Sequence, residues 1–100
     1  MFRLDGKVAL ITGAAGGLGH KIANTLHAQG AILALTDRNA EALAAMKAEL
    51  GENVECFVAN LTDGEAIIKL VKDIEEKLGR IDILVNNAGM TRDNLFIRMS

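Results

Sequence analysis

Three short runs of this hundred-residue chain are almost wholly apolar: Val8-Ala9-Leu10-Ile11, Ile32-Leu33-Ala34-Leu35 and Ile81-Asp82-Ile83-Leu84-Val85. A strand with one wet face alternates apolar and polar residues, whereas a run with almost no polar member is buried on both faces, as in a parallel sheet covered by helices. Val54-Glu55-Cys56-Phe57-Val58 is more mixed and reads as an edge strand. Between these runs the apolar positions recur at helical spacing: Leu18, Ile22 and Leu26; then Leu43, Met46 and Leu50; then Ile67, Leu70, Val71, Ile74 and Leu78. Asn39 is placed to cap the second helix, and Thr62 with Glu65 has capping-box spacing at the start of the third. Gly30, Gly51 and Gly79 follow the three stretches, where a residue tolerant of positive φ ends a helix.

The order is therefore βαβαβαβ, followed by a loop from Asn86 to Asn94 and the start of another helix at Leu95. Right-handed crossovers give an α/β fold, one half of a doubly wound Rossmann-type sheet, with four parallel strands in the order 3-2-1-4. Residues 1–100 read as one half-domain of that fold. Nothing in this reading pairs with the outer side of the fourth strand, and an open apolar edge invites association. Either another chain covers it or the sequence begins a longer protein.

The first strand runs into Thr12-Gly13-Ala14-Ala15-Gly16-Gly17-Leu18-Gly19, which opens the first helix. A helix N-terminus offers unpaired N–H groups and the positive end of the helix dipole, so a diphosphate binds there if backbone can come close. Gly13 makes the tight turn, Gly16 and Gly17 bring backbone to the phosphates, and Gly19 allows close packing of helix on strand. The alternative is a glycine-rich turn without a ligand.

Thr12-Gly13-x-x-x-Gly17-x-Gly19 resembles the fingerprint of the short-chain dehydrogenases and reductases. Asn86-Asn87-Ala88-Gly89, directly after the fourth strand, is similar to that family's second N-terminal signature. The stretch Gly89-Met90-Thr91-Arg92-Asp93-Asn94-Leu95-Phe96-Ile97-Arg98-Met99 resembles one branch, the bacterial 3-oxoacyl-acyl-carrier-protein reductases of fatty acid synthesis. The resemblance covers the whole chain but only the cofactor-binding half of such an enzyme. It implies hydride transfer between a nicotinamide dinucleotide and a carbonyl or alcohol carbon, an acyl-carrier-protein thioester substrate, and a homo-oligomer when complete. It also implies a tyrosine general acid, a lysine, a serine and an asparagine, all beyond this segment. The chain contains no tyrosine, and Ser100 falls too early to be the serine, so no residue present is assigned a catalytic role. Two other readings stay open: a dinucleotide-binding module without turnover, and a structural subunit docking by its open sheet edge.

The nucleotide is an electrostatic question. Asp37, eighteen positions after Gly19 at the end of the second strand, accepts hydrogen bonds from ribose hydroxyls and repels a 2'-phosphate. It favours NAD(H). Ala15 and Gly16 stand where many NADP-dependent relatives carry a basic residue, which removes one phosphate anchor. Arg38 argues for NADP(H), since a guanidinium pairs with a 2'-phosphate. Asn60 and Leu61 flank the adenine by resemblance, or form a turn leading to Thr62. Asn86, Asn87, Ala88 and Gly89 lie beside the cofactor riboses, with Asn87 alternatively tying adjacent strands together.

Other residue types carry less. Eleven basic and thirteen acidic residues, net charge -2, form no basic patch, so nucleic acid is not an expected partner. The apolar runs are too short to span a bilayer. The single cysteine, Cys56, reads as a small buried residue and fits a reducing compartment, with cytoplasm the expected location. His20 and His27, seven apart, have no companion ligands, so no metal site is expected; both read as surface residues, with His20 alternatively near the diphosphate. Arg92, Asp93 and Arg98 read as solvated.

Overall fold

The computed structural model describes residues 3–60 and 64–86, with the backbone of 96–99. Its elements are β1 (Val8–Thr12), α1 (Gly17–Ala28), β2 (Ile32–Asp37), α2 (Ala40–Leu50), β3 (Val54–Val58), α3 (Gly64–Leu78), β4 (Ile83–Asn86) and β5 (Phe96–Met99). The first four strands are parallel, in the order β3-β2-β1-β4, as the continuous apolar runs require. β3, the mixed run, is the edge on that side. The register sets Thr12 opposite both Thr36 and Asn86, and Asp37 opposite Val58. The strands thus end in a line, and their outgoing loops leave along one rim.

The far edge differs from the expectation. β5 pairs antiparallel with β4, matching Ile83 to Met99 and Asn86 to Phe96. The segment expected to start a helix at Leu95 therefore continues as extended backbone from Phe96 (Leu95 itself is outside the described residues), and β4 does not present an open edge. The physical reason is the ladder: an apolar strand end leaves unpaired N–H and C=O groups, and a short segment with β-forming Phe96 and Ile97 satisfies them locally.

Helices cover both faces. α1 and α2 close one face, where Ala23, Leu43 and Met46 bury against Ala9, Ile11, Leu33, Leu35, Ile83 and Val85. α3 closes the other with Leu70 and Ile74 on Leu10 and Ala34. Successive strand residues feed opposite faces, which is why a run without polar members is the stable choice. Leu18 departs from its expected place in the α1 seam: it is 50% exposed, and Gly19 and Ala23 take the buried positions. The first turn of α1 sits at the rim of the sheet, beyond the strands that would cover a leucine. Ile67, also expected in a seam, is partly exposed in the first turn of α3 for the same positional reason.

Helix ends follow the sequence signals. The Asn39 side chain accepts from the Ala42 N–H at 3.0 Å. Gly30, Gly51 and Gly79 all take positive φ after their helices. Thr62, and with it the proposed capping box, lies outside the described residues.

Candidate functional site

At the rim where the parallel strands end, β1 gives way to a turn built on Gly13, whose φ of +63° suits glycine. Ala14 is fully buried and donates its N–H to the Thr36 carbonyl at 3.0 Å. Gly16 donates to the Gly13 carbonyl at 3.2 Å and becomes the N-cap of α1, with no side-chain cap. An α-helix leaves its first N–H groups without intrahelical acceptors. Among the described residues no side chain caps them here.

The two middle glycines test whether this turn suits a diphosphate. A β-carbon at Gly17 would meet nothing within 4 Å, and at Gly16 only the Gly13 carbonyl at an ordinary 3.5 Å. Packing among the described residues therefore does not require glycine at either position. What glycine does there is leave the helix start bare on its outer side, so that an anion can reach the backbone. Gly19, by contrast, is buried, as a close helix–sheet contact demands.

Asp37 closes the neighbouring loop over this turn. Its Oδ2 accepts the Ala15 N–H at 3.1 Å and its Oδ1 accepts the Asn39 N–H at 3.0 Å. Its main-chain carbonyl accepts the Ala59 N–H at 3.1 Å, which draws in the end of β3. Each carboxylate oxygen keeps lone-pair capacity for a further donor. Arg38 is exposed beside it, and Asn60 is exposed one loop further on. On the other side Thr12 donates its hydroxyl to Asn86 Oδ1 at 3.0 Å, tying the ends of β1 and β4. The structure thus gathers Gly13, Ala15, Gly16, Gly17, Leu18, Gly19, Asp37, Arg38, Asn60 and Asn86 along one rim. Leu61, Asn87, Ala88 and Gly89 lie outside the described residues.

The side chains set aside by sequence go elsewhere. Cys56 Sγ contacts the Leu43 carbonyl at 3.4 Å, and burial raises the thiol pKa, only partly offset by Lys47. Such a thiol is a poor nucleophile at neutral pH. His20 joins Glu49 at 3.1 Å and His27 joins the Glu52 carbonyl at 2.9 Å, both bridging from α1 to the region of α2's end. Among the described residues no group of three or more His, Cys, Asp or Glu could hold a metal ion. No described helix is long and apolar enough to cross a membrane.

One buried acid escaped the sequence reading. Asp82, only 8% exposed, accepts the Val8 N–H at 2.9 Å and pairs with Arg80 at 2.7 Å, at the opposite rim of the sheet. The Val8 hydrogen bond is the largest influence on its carboxyl and, with Arg80 and against desolvation, holds it below the ordinary aspartate range. An acid inside an otherwise apolar strand run was the available signal.

Comparison with known proteins bears on the fingerprint at this rim. The family model described as short chain dehydrogenase matches residues 7–100. The chain belongs to the short chain dehydrogenase family. It is 51% identical over 100 residues to nodulation protein G of Rhizobium sp. (strain N33), covering all of this chain and 41% of that protein. It is 48% identical over 96 residues to the 3-oxoacyl-acyl-carrier-protein reductase FabG of Vibrio harveyi, covering 96% of this chain and 39% of that one. Among solved structures, a short-chain dehydrogenase/reductase (glucose/ribitol dehydrogenase) from Brucella melitensis superposes with a TM-score of 0.85 at 36% identity, covering 91% of this chain and 39% of that one. The chain spans about two fifths of the length of the curated relatives it matches. In this chain the glycine turn, Asp37 and the Thr12–Asn86 bond occupy the carboxyl rim of the sheet, where open α/β sheets bind their ligands.

Proposed function

We propose that this chain supplies the nicotinamide-dinucleotide-binding part of an oxidoreductase of the 3-oxoacyl-acyl-carrier-protein reductase type. The observation that carries the reading is the uncapped start of α1, bared by Gly16 and Gly17, with the Asp37 carboxylate one loop away. When bound, the dinucleotide supplies the hydride. The N–H groups in the first turn of α1, from Gly17, Leu18 and Gly19, hold the diphosphate. Gly13 gives the turn its direction, and Ala15 and Gly16 line it. Asp37 accepts from the ribose hydroxyls. Asn60 and Leu61 flank the adenine, and Asn86, Asn87, Ala88 and Gly89 lie along the riboses.

NAD(H) is the favoured form, because a carboxylate facing a phosphate dianion is costly. Arg38 supports the alternative, NADP(H), by offering a guanidinium to a 2'-phosphate. Proton transfer to the carbonyl oxygen needs a general acid, and with no tyrosine among these hundred residues a phenol comes from outside them. In this reading residues 1–100 are a half-domain of a cytoplasmic, homo-oligomeric enzyme whose substrate is an acyl-carrier-protein thioester. The similarity to FabG supports that substrate class. The reading of a structural subunit docked by an open β4 edge loses its footing, since β5 occupies that edge.

Titration of the full chain with NADH and NADPH, followed by cofactor fluorescence, tests the reading. NADH is expected to bind more tightly, and Asp37→Ala to weaken NADH about tenfold, equivalent to ~1.4 kcal/mol, while improving NADPH relative to it. Tighter NADPH binding by the unmodified protein overturns the preference. Failure to bind either overturns the proposal.

A further inference from the structure

Asp37 does more at this rim than face a ribose. The loops after β1, β2 and β3 leave the sheet there, and each is bonded to this one residue. Its Oδ2 holds the Ala15 N–H of the glycine turn after β1, and its Oδ1 holds the Asn39 N–H at the start of α2. Its main-chain carbonyl holds the Ala59 N–H after β3. Asn39 in turn caps α2 through Ala42, so the carboxylate is joined to a fixed helix end rather than to a free loop. The neighbouring Thr36 repeats the arrangement through backbone, its carbonyl accepting from Ala14 and its hydroxyl donating to Phe57 at 2.6 Å. Ala14 is therefore fixed by backbone alone, and Ala15, one residue nearer the helix start, is fixed by a side chain that mutation can remove.

We infer that Asp37 is a positioning residue for the glycine turn, holding the Ala15 peptide and thereby the start of α1 in the conformation that receives a diphosphate. The inference rests on the dinucleotide-binding reading for its ligand, but the bond to Ala15 exists without one. A carboxylate suits the task because both its oxygens accept and neither donates, so two N–H groups from different loops converge on it without conflict. An amide in its place satisfies one N–H and turns its own NH2 toward the other.

A ligand with no ribose separates the two roles by sign. Inorganic pyrophosphate cannot reach a ribose contact. If Asp37 acts only on the ribose, removing its negative charge leaves pyrophosphate binding unchanged or tightens it, since like charges repel. If Asp37 positions the turn, its removal weakens pyrophosphate binding despite the lost repulsion. The experiment is an amide chemical-shift titration of the full chain with pyrophosphate, read at Gly16, Gly17 and Leu18, together with hydrogen exchange at the Ala15 N–H. In Asp37→Ala, pyrophosphate affinity is expected to fall at least about threefold and Ala15 exchange to quicken about tenfold, in line with loss of a charge-assisted hydrogen bond, with a smaller change of the same sign in Asp37→Asn. The asparagine variant keeps the size of the side chain and guards against an effect of truncation. Unchanged or tighter pyrophosphate binding in both variants overturns the inference, as does unchanged Ala15 exchange. Failure of the unmodified protein to bind either NADH or NADPH overturns the dinucleotide reading instead, while Ala15 exchange still tests the bond.

Discussion

Two carboxylates stand at opposite rims of the same sheet, and both accept backbone N–H groups. Asp82, at the amino rim, is buried, holds Val8 and is neutralised by Arg80. Asp37, at the carboxyl rim, is half-buried, holds Ala15 and Asn39, and among the described residues has no ion-pair partner. The first is a closed arrangement in which a buried N–H and a surface guanidinium together satisfy the carboxylate. The second retains unspent charge and accepting capacity beside a helix start without a cap. The same side chain thus serves stability at one rim and, in the proposed reading, recognition at the other.

Substitutions that exchange these properties sharpen the contrast. Asp82→Ala strands the buried Val8 N–H and frees the exposed Arg80 guanidinium to water, and is expected to lower unfolding stability by about 1–3 kcal/mol in urea denaturation. Its acid limb carries a further mark. Because the folded carboxyl titrates below its unfolded value, its contribution is complete above pH about 4 and is lost as pH falls through the folded value. In Asp82→Asn the decline of stability below that pH is correspondingly shallower. Equal slopes for the two proteins would remove the distinction between the rims.

At the other rim the expected losses are in binding. Gly17→Ala meets open space, so thermal unfolding is expected to stay level or to rise by up to about 1 kcal/mol. NADH affinity falls about tenfold, ~1.4 kcal/mol, because the added methyl lies where the diphosphate approaches. A variant that binds NADH normally would show that the bare helix start is not the anion site. The smallest effect is at Asn39→Ala, where the α2 cap is lost for about 1 kcal/mol of stability, read by the same denaturation.

Much of this was legible in the residues. The continuous runs gave a parallel sheet because alternation is wasted when both faces are covered, and the mixed Val54–Val58 run gave its edge. The glycine spacing marked the turn, and Asp37 followed from its interval. Three things were not legible. The pairing of β5 with β4 is a long-range choice that local helical pattern at Leu95 does not contain. Leu18 has the period of a buried residue but sits where the sheet has ended. The convergence on Asp37 joins residues from three loops, and spacing along a chain carries no information on which N–H a carboxylate will reach.

The register of β1 also has a consequence in time. This central strand pairs with β2 on one side and with β4 on the other, and the Val8–Asp82 bond closes a separation of 74 residues. At a synthesis rate of about 5–20 residues per second, one flank of the strand waits roughly 4–15 s for its neighbour to emerge. During that interval Ala9 and Ile11, which the finished protein hides completely, belong to an incomplete sheet. The strand between β2 and β4 is thus made well before one of its two partners and stays half-enclosed until that partner arrives.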